Sequence, residues 1–435
     1  MPSNKEHSVY LDKDKCIGCT DCIKRCPTEA IRVRNKKAVI IDEKCIDCGM
    51  CIQVCKSKAK KARADTLDQI HTYKVKVAIP APTLYTQFKG VHNINQILTA
   101  LKHIGFDDVI EVAKGAEWIT EKTKAYIAQA DVKKPIVSSA CPVIIKLIRS
   151  RFPTLIPNIL PFISPKEVSA KMAKTYYINK GYNREDIGVF FISPCAAKIT
   201  DSRYPETIEH SDVDGSIALK DIYIPMLKAL KEVENDYAIL RLSSNKGMFW
   251  ASSGGEVRST QIMSNVAVDG VEDVIKILEM IEDEEVDNVE YVECLACKGG
   301  CLGGPLTVEN PYVSRCRMEK IARSHHKDKK TRHIELDVAS IPYHWEKDLT
   351  AKEVFKLDED IKEAIVKMEQ LEKIYEKLPQ IDCGSCGSPT CKALAEDVVL
   401  ERANILDCIF ILRDEVSHLA EEMVELVDKI PRSIQ

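Results

Sequence analysis

Cysteine placement constrains this chain more than any other property. Cys16, Cys19, Cys22 and Cys26 stand at x2, x2, x3 spacing before Pro27, and the pattern returns 29 residues later as Cys45, Cys48, Cys51 and Cys55. Three central loops follow: Ser138-Ser139-Ala140-Cys141-Pro142, Ser193-Pro194-Cys195-Ala196-Ala197-Lys198, and Glu293-Cys294-Leu295-Ala296-Cys297-Lys298-Gly299-Gly300-Cys301. A last group, Cys383, Cys386, Cys391 and Cys408, lies near the other end. The N-terminus, Met1-Pro2-Ser3-Asn4-Lys5-Glu6, has no apolar signal stretch, and no run approaches the ~18 apolar residues of a membrane span. A cytoplasmic protein is therefore expected, with no membrane association. There, thiols stay reduced, and the 18 cysteines read as ligands rather than disulfides. Sixteen fit a ligand count of eight, four and four. Cys294, inside a cluster loop, is left as a functional candidate, and Cys316 as an ordinary buried or loop thiol.

The first eight cysteines have the spacing of bacterial two-cluster ferredoxins, in which three thiolates of a run hold one 4Fe–4S cubane and the fourth reaches the other. The expected ligand sets are Cys16, Cys19, Cys22 and Cys55, and Cys45, Cys48, Cys51 and Cys26. Lys56 stands where a second Pro would complete the pattern. Zinc sites use pairs of CxxC, which argues against zinc here.

A chain of 435 residues with 45% apolar content suggests about two to four globular domains. Net charge is −4 and the isoelectric point about 6.3, so nucleic-acid binding has no electrostatic basis. The basic run Arg323–Arg332 reads as a solvated loop. Lys74–Ile79, Val189–Ile192 and Val289–Val292 read as strands, Asn95–Ile104 and Glu117–Ala130 as helices, and Pro135–Val137 leads into the Cys141 loop. Strand, cysteine loop and helix recur, so an α/β fold with ligands at the carboxyl ends of strands is expected. After Pro342 the pattern turns helical. Val354, Leu357, Ile361, Ala364, Met368, Leu371, Tyr375 and Leu378 repeat at 3-4 spacing until Pro379. Ile409, Leu412, Val416, Leu419, Met423, Leu426 and Ile430 do so again. These stripes fit either a helical hairpin packed on itself or a coiled-coil contact with a second subunit or partner.

In the centre, Pro and Gly beside each thiolate let backbone N–H groups approach sulfur, and the glycines around Cys301 suggest a large, close-packed ligand. Lys198, three residues beyond Cys195, adds a donor suited to an anionic ligand. Together the three loops resemble the signature loops of FeFe-hydrogenases. Ala81-Pro82, Gly115-Ala116, Ser164-Pro165 and Ser253-Gly254-Gly255 stand where that family has similar short motifs, so the resemblance spans residues 1–345. It implies a two-lobed domain holding an H-cluster: a 4Fe–4S cubane joined to a diiron unit with carbonyl, cyanide and dithiolate ligands. By the same resemblance Cys141, Cys195 and Cys297 would hold the cubane, Cys301 would bridge to the diiron unit, and Lys198 would hydrogen-bond a cyanide. The Cys383–Cys391 segment resembles a small iron–sulfur domain of anaerobic redox proteins, with Cys408 as distant fourth ligand, giving a third accessory 4Fe–4S cluster. The expected domains are a two-cluster ferredoxin domain (1–65), an H-cluster domain (74–345) and a mostly α-helical iron–sulfur domain (350–435).

Departures from the family's pattern shape the functional expectation. Catalytic members carry a proton-passing cysteine directly before the first ligand; here it is Ala140, where a water would be the alternative carrier. An ungapped match places Thr123 and Tyr126 at two relay glutamates and Ser164 at the relay serine. Leu295 and Ser193 replace methionines near the diiron unit, and Asp201 replaces a glutamate. With a cluster domain after the H-cluster domain and no PAS domain, the chain resembles the sensory type, which implies slow, reversible H2 oxidation and a kinase or phosphatase partner. A metabolic hydrogenase exchanging electrons with a ferredoxin is the alternative, and a non-catalytic iron–sulfur scaffold a third. No nicotinamide-binding glycine fingerprint is present.

Overall fold

A computed structural model describes residues 7–327, 331–354 and 356–429. The chain divides into two compact units: Met1–Val9, Ile46–Gly49 and Ala62–Lys352, and Tyr10–Cys45, Met50–Lys61 and Glu353–Gln435. No described helix is long and apolar enough to cross a membrane.

The first unit contains two parallel sheets. One has the order Asp108–Val109, Val75–Pro80, Ile187–Ser193, Gly215–Ala218, and the other Asn265–Asp269, Tyr291–Leu295, Ile136–Val137. Parallel strands covered on both faces need continuous apolar runs rather than alternation. Ile187–Ser193 meets this with every position buried, and Gly188 leaves room for the Tyr73 ring, whose Cγ would lie 2.4 Å from an added Cβ.

Most expected elements form with shifted ends. The strand near residue 74 is Val75–Pro80, the first helix Ile94–His103, and the second Val112–Ile127, beginning ahead of the expected Glu117. The last strand is Tyr291–Leu295 rather than Val289–Val292, because its pairing with Asn265–Asp269 continues to Asp269 opposite Leu295. Two expectations fail. Arg323–Arg332 is not simply a solvated loop: Pro311–Lys327 is a helix, and Arg332 grips the buried Asp108 carboxylate at 2.6 and 3.0 Å. Cys316 lies exposed on that helix, neither buried nor in a loop.

In the second unit, Ile31–Arg34 and Lys37–Ile40 form an antiparallel hairpin whose two turn residues, Asn35 and Lys36, both have positive φ, as a type I′ turn requires. The C-terminal segment supplies helices Ile361–Lys377, Cys391–Val399 and Ile409–Asp428. The first starts at Ile361 and not at Val354, because the Asp360 carboxylate caps it, accepting from Lys362 N at 2.7 Å and Glu363 N at 3.3 Å. Its stripe packs through Leu371, Ile374, Tyr375 and Leu378 against Leu394 and Ala395. The second stripe does not pack on it: Ile409, Leu412, Val416, Leu419, Met423 and Leu426 are all exposed. Ile430 lies outside the described residues.

Candidate metal centre

The carboxyl ends of three parallel strands deliver the central cysteines. Ile136–Val137 leads to Cys141, Ile187–Ser193 to Cys195 and Tyr291–Leu295 to Cys297. Cys141 and Cys195 stand at the N-caps of helices Pro142–Arg151 and Ala196–Arg203. Backbone N–H groups of Ile144 and Ala296 favour the ionised form of Cys141, and that of Lys198 favours the ionised form of Cys195, against the larger effect of burial. The third loop is tied to its neighbours by Leu302 N–H to Ala251 O at 3.1 Å and Leu306 N–H to Pro194 O at 3.0 Å. Gly304 permits that approach, since an added Cβ would sit 2.4 Å from Pro194 O. Gly300, at φ +75°, would bring a Cβ within 2.7 Å of Ser253 N.

These loops bring four thiols close enough to perturb one another. Cys297 is raised well above an ordinary thiol by burial and by Cys195, Cys141 and Cys301. Burial also raises Cys141, and pushes Cys195 up to about 12. Thiols in such a site keep their protons unless a bound cation replaces them, so the donor set fits a thiolate-held metal cluster. Lys198 Nζ lies 3.5 Å from Cys301 Sγ. Burial pulls its pKa down, but the Cys301, Cys195 and Cys141 sulfurs, once they are thiolates, outweigh this and raise it, so the ammonium stays charged beside them. Cys294 is fully buried in its strand, its thiol raised by burial.

The relay positions do not form a chain. Ala140 carries no titratable group, and its N–H donates to Ser138 Oγ at 3.3 Å. Thr123 Oγ1 donates into its own helix, to Ile119 O at 2.9 Å, and Tyr126 packs edge-on to Phe162. Ser164 Oγ is buried with no hydrogen-bond partner among the described residues. Ser193 Oγ is occupied at Cys195, receiving its N–H at 3.1 Å and donating to its carbonyl at 2.9 Å. Asp201 accepts from Lys166 Nζ at 2.8 Å, and Leu295 is buried.

A second set of buried groups was not anticipated from the sequence. Ser138 Oγ donates to Glu256 Oε2 at 2.7 Å, and Tyr291 OH donates to Glu256 Oε1. Glu293 accepts Gly254 N–H and Val257 N–H, each at 3.0 Å. Burial pushes Glu256 up to about 7, and burial together with the Glu256 charge pushes Glu293 up to about 8. Both carboxyls thus keep their protons to a higher pH than an ordinary carboxylate, and Glu256 is linked through Ser138 Oγ to the Ala140 N–H. The available signal was Glu293 itself, a carboxylate inside the otherwise apolar strand before Cys297.

In the second unit, Cys16, Cys19, Cys22 and Cys55 line one small cavity, the grouping expected for one ferredoxin cluster. Ala38 N–H points at Cys16 Sγ at 3.5 Å and Ala59 N–H at Cys55 Sγ at 3.2 Å. Cys26 Sγ accepts Ala30 N–H at 3.2 Å, and Cys51, pushed up to about 12 by burial, lies near Cys26. Cys45 falls in this unit and Cys48 among the residues of the first. Cys386, Cys391 and Cys408 share one apolar cluster, and Cys383 acts electrostatically on Cys386.

The chain matches the family model for the iron only hydrogenase large subunit, C-terminal domain, over residues 74–263 and 252–305. A 4Fe-4S dicluster model matches residues 8–56, and an Fe-S cluster model residues 378–410. The chain is 25% identical over 390 residues to iron hydrogenase 1 of Clostridium pasteurianum, covering 73% of this chain and 67% of that protein. It is 30% identical over 278 residues to the periplasmic [Fe] hydrogenase large subunit of Nitratidesulfovibrio vulgaris, covering 58% and 64%. The chain thus spans about two thirds of the length of these relatives. An FeFe-hydrogenase structure from Chlamydomonas reinhardtii superposes with a TM-score of 0.49 at 15% identity, over 67% of this chain and 97% of the other. Since the hydrogenase model covers more than half of the chain and includes all four converging cysteines, the chain belongs to the FeFe-hydrogenase family, oxidoreductases that interconvert H2 with protons and electrons.

Proposed function

We propose that the chain is an FeFe-hydrogenase of the sensory type. It binds H2, oxidises it slowly and reversibly to two protons and two electrons, and passes its redox state through 4Fe–4S clusters to a signalling partner. One observation carries the reading: Ala140 occupies the position before Cys141, where turnover calls for a proton carrier, and Thr123, Tyr126 and Ser164 do not form a hydrogen-bonded relay behind it.

When bound, the H-cluster would supply the chemistry of H2 cleavage. Cys141, Cys195, Cys297 and Cys301 would hold it, and the Lys198 ammonium, 3.5 Å from Cys301 Sγ, would donate to an anionic ligand of it. Protons move through Ser138, Glu256 and Tyr291, with Glu293 as a second acid beside them. General acids work best with a pKa near the working pH, which Glu256 satisfies at about 7. Ala140, whose N–H donates to Ser138 Oγ at 3.3 Å, offers no proton carrier beyond Ser138, so a water would have to complete the path. Slow turnover follows.

Three accessory clusters carry the electrons: two in the ferredoxin-type segment and one held by Cys383, Cys386, Cys391 and Cys408. The exposed stripe of Ile409–Asp428 keeps strict 3-4 spacing, the seam of a two-stranded coiled coil, and we assign it to a second copy of this chain. The signalling partner is a kinase or phosphatase in the cytoplasm, by the family resemblance.

The test is turnover of the matured protein together with its infrared spectrum under argon and under H2. Carbonyl and cyanide bands that respond to H2, with turnover orders of magnitude below catalytic relatives, support the sensor. Turnover equal to theirs would establish the metabolic, ferredoxin-linked reading instead. Cubanes without those bands would leave an iron–sulfur scaffold.

A further inference from the structure

The N-terminal ferredoxin-type segment and the C-terminal cluster segment are separated by some three hundred residues of sequence, yet they share one compact unit. A buried charge cluster holds them together. Asp397, 1% exposed, accepts from Arg32 Nε, from Arg34 Nη2 at 2.8 Å and from Ser388 Oγ at 3.0 Å. Lys44 Nζ meets Glu396 at 2.6 Å, and Arg34 Nη1 also donates to Cys386 O at 3.0 Å. Ion pairs this dry are lost only at a large cost once one partner is removed, so they fix a geometry.

That geometry joins two particular cysteine sets. Val33 lines the cavity formed by Cys16, Cys19, Cys22 and Cys55. Its N–H donates to Gly387 O at 2.7 Å, so the Cys386–Gly387 turn sits on the outer edge of the hairpin strand Ile31–Arg34. The fit depends on glycine: Gly387 has φ +82°, and an added Cβ would lie 2.0 Å from Val33 O. Gly384, next to Cys383, packs toward Ile23 and Lys24, immediately after Cys22. One residue, Val33, therefore borders the first cavity and hydrogen-bonds the residue after a C-terminal ligand.

We propose that the cluster held by Cys383, Cys386, Cys391 and Cys408 exchanges electrons directly with the cluster held by Cys16, Cys19, Cys22 and Cys55, and that Arg32, Arg34 and Asp397 are the positioning residues that set this contact. The inference rests on the reading that both sets bind 4Fe–4S clusters. One electron leaves the reduced ferredoxin-type cluster, which is oxidised, and enters the C-terminal cluster, which is reduced. No bond forms or breaks, and no other reactant is needed. The C-terminal cluster is then a branch from the ferredoxin-type segment, so the signal to the helices Ile361–Lys377 and Ile409–Asp428 depends on the charge state of that segment.

The experiment is electron paramagnetic resonance on the full-length chain with all clusters reduced, comparing wild type with Cys391→Ser and Asp397→Ala, with iron content measured on each. Direct contact predicts that spin–spin splitting in the wild-type dicluster signals diminishes in Cys391→Ser, which lacks the third centre. Asp397→Ala should narrow the splitting while iron content stays at the wild-type level. A wild-type spectrum equal to that of Cys391→Ser plus one unsplit signal overturns the proposal, whatever Asp397→Ala does to folding. Iron content too low for a C-terminal cluster in wild type overturns both this inference and the cluster reading beneath it. Infrared bands under H2 report separately on the diiron centre, so failure of the hydrogenase reading is distinguishable.

Discussion

Replacing Glu256 with Gln separates proton traffic from structure in a single atom change. Glu256 is 2% exposed and bridges Ser138 and Tyr291 through its two carboxyl oxygens. Gln has the same shape and keeps one acceptor and gains a donor that the Ser138 hydroxyl can receive, so the network can reform by rotating hydroxyls. Burial already favours the uncharged carboxyl below about pH 7, so the exchange of neutral for neutral should cost no more than ~1 kcal/mol of stability. An amide cannot pass a proton on, and loss of one positioned acid or base typically lowers a rate by ~10²–10⁴-fold, which is ~3–5 kcal/mol of barrier. The assay is H2 oxidation with an artificial electron acceptor and H2/D2 exchange, on protein whose infrared bands show a loaded diiron site. Both rates should fall at least a hundredfold, with the thermal midpoint nearly unchanged. Wild-type turnover in Glu256→Gln, with the diiron site loaded, would remove this network from the proton path and leave a water route past Ala140 as the alternative.

Further outcomes follow from the same contacts. Lys198→Met should lose the carbonyl and cyanide bands after maturation while keeping cubane iron, because the cation beside Cys301 is gone; undiminished bands would refute the cyanide-donor role. Asp397→Ala should destabilise the second unit by ~3 kcal/mol in urea unfolding, since Arg32, 5% exposed, keeps only the Glu396 carboxylate, at 4.0 Å. Leu419→Glu, at the centre of the exposed stripe, should convert a dimer to monomer in sedimentation, whereas an unchanged mass would reject the paired-helix assignment. The raised acids fix the sign of one pH effect: Glu256 and Glu293 hold their protons in the folded state, to about pH 7 and about pH 8, after the unfolded chain has released them. Their contribution is full below the unfolded carboxyl pKa and is lost as pH rises through the folded values. Denaturation midpoints between pH 4.5 and 8 should therefore fall more steeply in wild type than in a Glu256→Gln, Glu293→Gln double variant.

The chain's local spacings carried most of the chemistry. A run such as Cys16-x2-Cys19-x2-Cys22 groups its thiols in one cavity because a few residues of backbone hold the sulfurs within one loop, and Pro142 after Cys141 marks a helix start because its ring suits the first turn. Patterns of that range survive in the sequence whatever the rest of the chain does. Contacts between distant segments do not. Glu256 and Glu293 stand 37 residues apart and meet only because the start of the helix Gly255–Thr260 lies against the strand Tyr291–Leu295, where Glu293 accepts Gly254 and Val257 N–H while Ser138 and Tyr291 reach Glu256. Asp397 looks like any surface carboxylate on a helix until Arg32 and Arg34 close over it. The periodic stripe of Ile409–Asp428 reads the same whether it packs inward or faces out. Only packing decides which, because burial is a property of what lies across from a side chain and not of the spacing along it.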